Sequence, residues 1–277
     1  MEPESPATRP SQPLPTFFIP HGGGPCFFMP PPPDEPERWI PMQRYLESLP
    51  ERLPQRPDAL LVISAHWEMP QPTVLAAPAP ALLYDYYGFP PDTYRLTYSA
   101  PGSPGLASRV RELLTTAGIE NAQDTERGYD HGIFVPLKVA FPAADIPIVQ
   151  LSLEAGLAPQ RHLDVGRALA PLRDANILVI GSGLSFHNMG ALGAAAARAP
   201  AREFDLWLTE TLCERPAAER EARLADWTRA PHARFCHPRE EHLLPLMVAV
   251  GAAAGDAGRK EFSGAIAGKA VSAFHFG

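Results

Sequence analysis

In the stretch Thr16-Phe-Phe-Ile-Pro-His21-Gly-Gly-Gly-Pro25, a short apolar run ends in a histidine and three glycines. The apolar residues between two prolines are typical of a short buried strand. His21 then stands at the carboxyl end of that strand. Glycines carry no side chain, so the loop after His21 lets the backbone and a ligand approach each other closely. A tight turn beside an ordinary histidine has the same sequence pattern, so this stretch alone leaves a metal-binding role open.

The same pattern occurs twice more along the chain. The apolar run Leu60-Leu-Val-Ile-Ser64 is followed at once by His66-Trp67. The run Ile177-Leu-Val-Ile180 is followed by a loop, Gly181-Ser-Gly183, and then by His187. Ligands of open α/β sheets bind outside the carboxyl ends of the strands. The three runs therefore predict a single-domain α/β sandwich with a central, mostly parallel sheet flanked by helices, and an active site at the carboxyl ends of its strands.

Length and composition indicate one globular domain. The chain has 277 residues, of which 45% are hydrophobic and 20% are charged, and this is enough to bury a sizeable core. Residues 1–15 are rich in proline, serine and glutamate and are expected to form a disordered tail. Residues 16–277 are expected to form the catalytic domain.

Charge and hydropathy exclude several classes of partner. The net charge is −7 and no basic cluster stands out, so neither nucleic acid nor an anionic membrane is an expected partner. No apolar run approaches the roughly 18 residues of a membrane-spanning helix. The N-terminus lacks the basic and apolar regions of a signal peptide. The three cysteines form no C-x-x-C pair and indicate reduced thiols in a cytoplasmic protein.

Two further stretches combine histidines with carboxylates. His131 directly follows Asp130, although a histidine hydrogen-bonded in a turn would also fit this pattern. The stretch His237-Pro-Arg-Glu-Glu-His242 brings two histidines and two carboxylates to a predicted helix start, where a charged, solvated helix end is the alternative. The candidates for one site are therefore His21, His66, His131, His187 and the His237–His242 cluster.

Three other segments have mainly structural interpretations. The aromatic stretch Tyr84-Asp-Tyr-Tyr-Gly-Phe-Pro90 could line a pocket for a flat substrate or pack under a long loop. His162 is expected on the solvent face of a helix predicted over residues 159–173. The C-terminal residues 265–276 are predicted to form a late strand.

The residue types at the predicted site indicate metal chemistry. Neutral imidazoles with a carboxylate suit Fe(II), zinc or manganese, and the chain offers no set of thiolates. A site with three protein ligands leaves positions open for a substrate and a small molecule. Five histidines are more than one metal needs, so one or two imidazoles are free to act as acid and base near neutral pH.

Five motifs stand in order along the chain: His21-Gly-x-x-Pro25, Ser64-Ala-His66-Trp67, Asp130-His131-Gly, Ser182-Gly-x-x-x-His187-Asn188 and Glu241-His242-x-x-Pro245. Together they resemble the class III extradiol ring-cleavage dioxygenases, specifically the DOPA 4,5-dioxygenase branch. The match runs from about residue 16 to the C-terminus, in register and without large gaps. The resemblance implies a non-haem Fe(II) enzyme that splits a catechol ring beside its hydroxyls and inserts both atoms of O2. Zinc is also found in members of this family.

The resemblance also implies a role for each histidine that matches a family motif. His21 and His66 match metal ligands, and His242 matches the third. His187 matches the acid/base histidine, which in some members is also described as contacting the metal. His131 matches a second active-site histidine that orients the substrate or dioxygen.

Other ligands and other functions stay open on the sequence alone. The third ligand is a glutamate in the wider superfamily, so Glu240 or Glu241 could replace His242. A zinc-dependent hydrolase is one alternative function, and it needs a carboxylate base beside the metal, for which Asp130 is a further candidate. A catalytically silent homologue on the same fold is another, although the retention of all five histidines argues against it.

Overall fold

An eight-stranded mixed sheet forms the centre of the computed structural model, which describes residues 12–277. Its strands in chain order are β1 Thr16–Pro20, β2 Ala59–Met69, β3 Thr73–Leu75, β4 Ala122–Asp124, β5 Ile148–Glu154, β6 Ile177–Gly183, β7 Gly258–Ile266 and β8 Lys269–Phe276. Across the sheet they lie in the order β4-β3-β5-β2-β6-β1-β8-β7.

The four central strands β5, β2, β6 and β1 run parallel to one another. Leu61 of β2 pairs with Val149 of β5 on one side and with Val179 of β6 on the other. Phe17 of β1 pairs with Ile180 of β6. Strands of a parallel sheet are covered on both faces and are therefore nearly continuous apolar runs, which is the pattern that predicts them from sequence. The predicted fold class, an α/β fold with a mostly parallel central sheet, is confirmed.

Antiparallel pairs flank the parallel core on both sides. On one side β3 is antiparallel to β5, and the edge strand β4 is parallel to β3. The strands β7 and β8 form a hairpin, and β8 also pairs with β1. The prediction of one late strand over residues 265–276 is wrong in its bounds, because the chain turns at Ala267 and Gly268. Both residues have positive φ angles, 48° and 77°. Two such residues in succession form the type of two-residue turn that joins the strands of a hairpin.

Within the described part of the chain, eight α-helices flank this sheet: α1 Ile40–Glu47, α2 Pro104–Thr116, α3 His131–Ala140, α4 Pro159–Leu169, α5 Arg198–Cys213, α6 Ala217–Ala225, α7 Ala233–Cys236 and α8 Leu244–Ala252. Every residue of α8 is buried, and this helix packs against α4 and β6. Each helix between residues 12 and 277 is too short or too polar to cross a bilayer.

Two glycines of β6 allow another segment of the chain to lie directly on the strand. A Cβ atom at Gly183 would overlap the carbonyl oxygen of His242, and one at Gly181 would overlap that of Pro245. The same His242 carbonyl accepts a hydrogen bond from the backbone N–H of Leu184 at 3.0 Å. The prediction that Gly181-Ser-Gly183 is a loop is therefore wrong. These glycines end the strand, and because they lack a side chain the segment from His242 to Pro245 can lie directly against the strand backbone.

Two further predictions need correction. His66 lies inside β2 and not after its end, because the strand continues to Met69 past a register shift between Ile63 and Glu68. His162 does not face solvent. Its side chain is buried, Nδ1 lies 2.8 Å from the carbonyl oxygen of Ala158, and Nε2 accepts a hydrogen bond from the N–H of Glu154.

The predicted tail, residues 1–15, lies mostly outside the described residues. Its last part is packed against the domain. Leu14 is buried in the core, and its carbonyl oxygen accepts a hydrogen bond from Arg173 Nε at 2.6 Å.

The close approach at β6 predicts a loss of stability when a methyl group is added there. We expect Gly183→Ala to lower the free energy of unfolding by about 1–3 kcal/mol, the usual cost of overpacking. Gly105→Ala is the matched control, because the space around Gly105 in α2 is open. Urea unfolding of the two variants and the wild type measures the effect. Equal unfolding midpoints for Gly183→Ala and the control would contradict the packing described here.

Candidate metal centre and active site

Five of the predicted histidines meet beside the carboxyl ends of the central strands. His21 directly follows β1, and His187 follows β6 after three residues. His66 lies in the second half of β2. His131 is the first residue of α3, and His242 lies just before α8. The parallel arrangement of the strands thus brings side chains from five separate stretches to one edge of the sheet.

The imidazoles of His21 and His66 form the centre of this cluster. Their Nε2 atoms lie 3.1 Å apart. His131 contributes a third nitrogen, and the three ligand atoms all lie within 4.8 Å of one another. The ring of His242 also neighbours both, with its centroid 5.2 Å from that of His21 and 4.8 Å from that of His66. Either His131 or His242 is therefore close enough to complete a triad with the central pair.

A second group adjoins the first and contains His187, Glu241 and His242, whose ligand atoms again lie within 4.8 Å of one another. The rings of His187 and His242 stack with centroids 3.4 Å apart and an angle of 17° between their planes. Glu241 Oε1 lies 2.9 Å from Nδ1 of His242 and 3.1 Å from Nδ1 of His187. One carboxylate thus holds two stacked imidazoles.

Asp85 is the carboxylate that lies beside two other imidazoles of the cluster, those of His131 and His66. Its Oδ1 accepts the backbone N–H of His131 at 2.9 Å and lies 2.8 Å from Nδ1 of the same residue. Its Oδ2 lies 3.9 Å from Nδ1 of His66. Ser182 Oγ lies 3.2 Å from Nδ1 of His21. Because these partners engage the Nδ1 side of each ring, Nε2 is the nitrogen left to bind a metal or a substrate.

The sequence-based prediction does not include the contacts by which Asp85, Ser182 and Glu241 hold the imidazoles in position. Asp85 is the one carboxylate in the aromatic stretch from Tyr84 to Pro90, and a charge in such surroundings is a usable signal. Ser182 stands inside the motif that ends at His187. Glu241 enters the prediction as an alternative metal ligand and as a candidate base of a hydrolase, whereas in the structure its Oε1 is engaged by two imidazoles.

Burial keeps the central imidazoles neutral. The pKa values of His21, His66 and His242 are all lowered, first by burial and then by repulsion between neighbouring imidazolium groups. Neutral imidazole is the form that binds a metal ion. Burial acts to raise the pKa of Asp85 and Glu241, but hydrogen bonds from His131 and His187 outweigh it, so both pKa values are lowered. Two ionised carboxylates therefore stand behind the imidazoles.

Two other candidates from the sequence are engaged elsewhere. The Glu240 carboxylate pairs with Arg234 at 2.5 Å. His237 is fully buried, its Nε2 lies 3.0 Å from the carbonyl oxygen of Ser185, and its ring packs against Trp227. Burial lowers the pKa of His237 to about 4. These contacts assign both residues to the structure of the loop before α8.

Asp130 is also a structural residue. Its Oδ1 accepts a hydrogen bond from Ser64 Oγ at 2.6 Å, and its Oδ2 accepts bonds from Arg127 and Gln150. The guanidinium of Arg127 lies 4.9 Å from the ring centroid of Trp67. This network leaves the Asp130 carboxylate without a free oxygen for proton transfer.

A cavity of about 350 Å³ opens over the imidazoles. Both predicted roles of the aromatic stretch from Tyr84 to Pro90, lining a pocket and packing under a loop, occur in the structure. Phe89 lines the cavity, whereas Tyr86 is buried with its hydroxyl donating to the carbonyl of Thr93, and Tyr87 is exposed. The other large apolar side chains of the cavity wall are Trp39, Leu184, Phe186, Met189, Leu192 and Ile266.

The residues present fit a divalent transition metal. Two nitrogens bound at right angles to one ion, at about 2.1 Å each, lie about 3 Å apart, which agrees with the 3.1 Å between His21 and His66. Imidazole donors without thiolates suit iron or zinc. Carboxylates behind metal-binding imidazoles fix their tautomer and orientation, as Asp85 and Glu241 do here.

Comparison with known proteins identifies several relatives. The chain is 42% identical over 242 residues to a 4,5-DOPA dioxygenase extradiol of Beta vulgaris, with 86% of each chain covered. It is 36% identical over 201 residues to one of Escherichia coli K12, with 71% of this chain and 73% of the relative covered. A dioxygenase named tasH from Hapsidospora irregularis is 38% identical over 264 residues, with 86% and 78% covered.

A solved structure shares the fold of this chain, and a family model identifies its family. An uncharacterized protein of Escherichia coli K12 superposes with a TM-score of 0.73 and 30% identity, over 95% of this chain and all of that one. The model described as the catalytic LigB subunit of aromatic ring-opening dioxygenase matches residues 15–272. The chain therefore belongs to the LigB family of class III extradiol, aromatic ring-opening dioxygenases.

Proposed function

We propose that this enzyme is an Fe(II)-dependent extradiol dioxygenase that opens the ring of a DOPA- or caffeate-like catechol with O2. The observation that carries the proposal is the convergence of buried imidazoles at one largely apolar cavity. A flat aromatic ring suits such walls, and the imidazoles suit a metal that binds its two hydroxyls. Relatives named 4,5-DOPA dioxygenase extradiol support the choice of catechol.

We assign the metal ligands to His21, His66 and His242. The Nε2 atoms of the first two lie 3.1 Å apart. His242 is nearly fully buried, contacts both rings, and is held through Nδ1 by Glu241. His131 is the competing third ligand, because its nitrogen also lies near the central pair.

Fe(II) at this site would supply open positions for both catechol oxygens and for O2, and would lower the pKa of a bound hydroxyl. His187 takes the acid/base role. Since Glu241 engages its Nδ1, Nε2 is the atom that accepts a proton from a catechol hydroxyl and later returns it. The ionised carboxylate of Glu241 stabilises the imidazolium that exists between these two transfers.

His131 orients the substrate and stabilises charge. Asp85 holds this residue through its ring and through its backbone N–H. Because Nδ1–H donates to Asp85, the remaining ring nitrogen can accept a hydrogen bond from a catechol hydroxyl, and as an imidazolium it can donate one to a negatively charged oxygen. The surrounding wall, with Phe89, Phe186 and Leu184, excludes water and thereby strengthens these polar interactions.

The zinc hydrolase receives less support from this geometry. Such an enzyme needs a base that activates water beside the metal. Among the described residues, no carboxylate lines the cavity. Asp130 and Glu240, two of the candidates from the sequence, are bound to other groups.

Oxygen uptake tests the proposed function. Enzyme loaded with Fe(II) without air and then mixed with air and caffeate or L-DOPA should consume one O2 per catechol and give a yellow ring-opened product. Metal-free and zinc-loaded enzyme are the controls and should consume none. Ferrous enzyme of confirmed iron content that leaves every catechol of such a series intact, while the zinc form cleaves an ester, would favour the hydrolase.

Metal content tests whether His131 is a metal ligand. We expect His66→Ala to lose its bound iron, because a triad needs each ligand. His131→Ala should keep most of the iron and lose turnover, because His131 lies outside the proposed triad. Metal analysis of both purified variants after the same loading and gel filtration decides this. Equal loss in the two variants would place His131 among the ligands.

Substitution of the acid/base residue, His187, should slow turnover and leave the binding of iron and catechol intact. We expect His187→Gln to bind iron and catechol but to turn over about 10²–10⁴-fold more slowly, the usual scale of general acid–base catalysis. Without air, its catechol complex should show an ultraviolet band shifted toward the less deprotonated form. Loss of iron from this variant would make His187 a fourth ligand and would assign proton transfer to His131.

A further inference from the structure

The cavity wall contains a cationic side chain and, among the described residues, no anionic one. Apart from the histidines, Arg38 is the one charged residue among the described residues that line the cavity. The whole chain has a net charge of −7, so a cation here is contrary to the general balance of the protein.

The guanidinium of Arg38 has donors to spare. Its Nε donates to Glu35 Oε2 at 2.7 Å, and its side chain is 21% exposed. Within residues 12–277, neither Nη1 nor Nη2 has a hydrogen-bond acceptor. Terminal nitrogens of a guanidinium form a planar fork that matches the two oxygens of a carboxylate. Arg38 can thus keep Glu35 on Nε and still bind a second anion.

Two more cations stand behind the same wall. Lys269 is buried, and its ammonium donates to the carbonyl oxygens of Leu192 and Ala267, the first of which belongs to a cavity-lining residue. Arg198 lies against the turn before Lys269, because a Cβ at Gly268 would be 2.7 Å from its Nε. Burial lowers the pKa of the Lys269 ammonium, Arg198 and Arg38 lower it further, and Glu35 acts in the opposite direction. Arg38 in the cavity wall and Lys269 behind Leu192 therefore give this part of the site two cations.

We infer that the cavity selects catechols whose side chain bears a carboxylate, with Arg38 as its partner, over catechols whose side chain bears an ammonium group. The inference rests on the proposed function, since it places the catechol ring at the imidazoles. A substrate carboxylate gains a charge-assisted bond from Arg38. A substrate ammonium finds no carboxylate in the described cavity wall and meets the like charge of Arg38. Arg38 is a specificity-determining residue and takes no part in ring opening.

Four catechols with a two-carbon side chain separate the two charges. The reference is 4-ethylcatechol, which carries neither charge. 3,4-Dihydroxyphenylpropionate adds the carboxylate, dopamine adds the ammonium, and DOPA adds both. Binding to ferrous enzyme is measured without air, so that affinity is read without turnover. We expect the propionate to bind about tenfold or more tightly than 4-ethylcatechol, the equivalent of one hydrogen bond to a charged group. DOPA should bind less tightly than the propionate, and dopamine least tightly of all.

Variants of Arg38 assign the preference to this residue. Arg38→Met should lose about tenfold or more in affinity for the propionate and change the affinity for 4-ethylcatechol less than twofold. Arg38→Lys should retain part of the preference, because its charge remains and its planar fork does not. Arg109→Met is the matched control, since Arg109 also pairs with a glutamate three residues away, Glu112, but on the exposed face of α2. In air, the loss in Arg38→Met should appear in KM and spare kcat.

Two results would overturn the inference. One is equal affinity of the wild type for the propionate and 4-ethylcatechol. The other is an equal loss for all four ligands in Arg38→Met, which would indicate general damage to the cavity. Arg38→Gln repeats the comparison if Arg38→Met unfolds at a lower temperature than the control. Failure of ferrous enzyme to open any of the four rings would refute the proposed function, while the binding series would still decide the carboxylate preference.

Discussion

Parallel pairing of β1, β6 and β2 is the constraint on which the site depends. It places His21, His187 and His66 at one edge of the sheet although they are far apart in sequence. The glycines of β6 then let the chain before α8 lie on the strand, which adds His242 to the same edge. Within the sheet, Ser64 pairs with Ser182, and these two hydroxyls bind Asp130 and His21. The sheet thus positions both the imidazoles and part of the network that holds them.

Two carboxylates then set the direction of the imidazoles. The Asp85 carboxylate contacts Nδ1 of His131 and faces Nδ1 of His66. The Glu241 carboxylate contacts Nδ1 of His187 and of His242. Buried imidazoles in a water-poor site are neutral, and each needs a partner for the nitrogen that does not face the ligand. The arrangement separates two tasks. The Nδ1 atoms belong to the protein framework, and the Nε2 atoms are left for the metal and the substrate.

Much of the fold and of the site could be predicted from sequence, because an apolar run followed by a histidine indicates both a buried strand and the edge of the sheet at which it ends. The parallel core and three of the five site histidines, His21, His66 and His187, follow from that pattern. His131 and His242 are predicted instead from stretches that combine histidines with carboxylates. Local signals failed where tertiary packing decides the outcome. Gly181 and Gly183 look like a loop by composition, but pairing with β1 and β2 makes them strand. His162 follows a helical pattern whose buried face is ambiguous. Asp85 acts across space, on residues far along the chain, and no local pattern gives its partners.

The position of the metal itself tests the proposed ligand set most directly. Crystals of the protein loaded with Fe(II) and kept without air would be measured at the iron absorption edge, where anomalous scattering locates iron. We expect one strong peak at the edge of the sheet, about 2.1 Å from one nitrogen each of His21, His66 and His242. A peak bound by His131 in place of His242, or the absence of iron from this cluster in loaded crystals, would contradict the proposed ligand set.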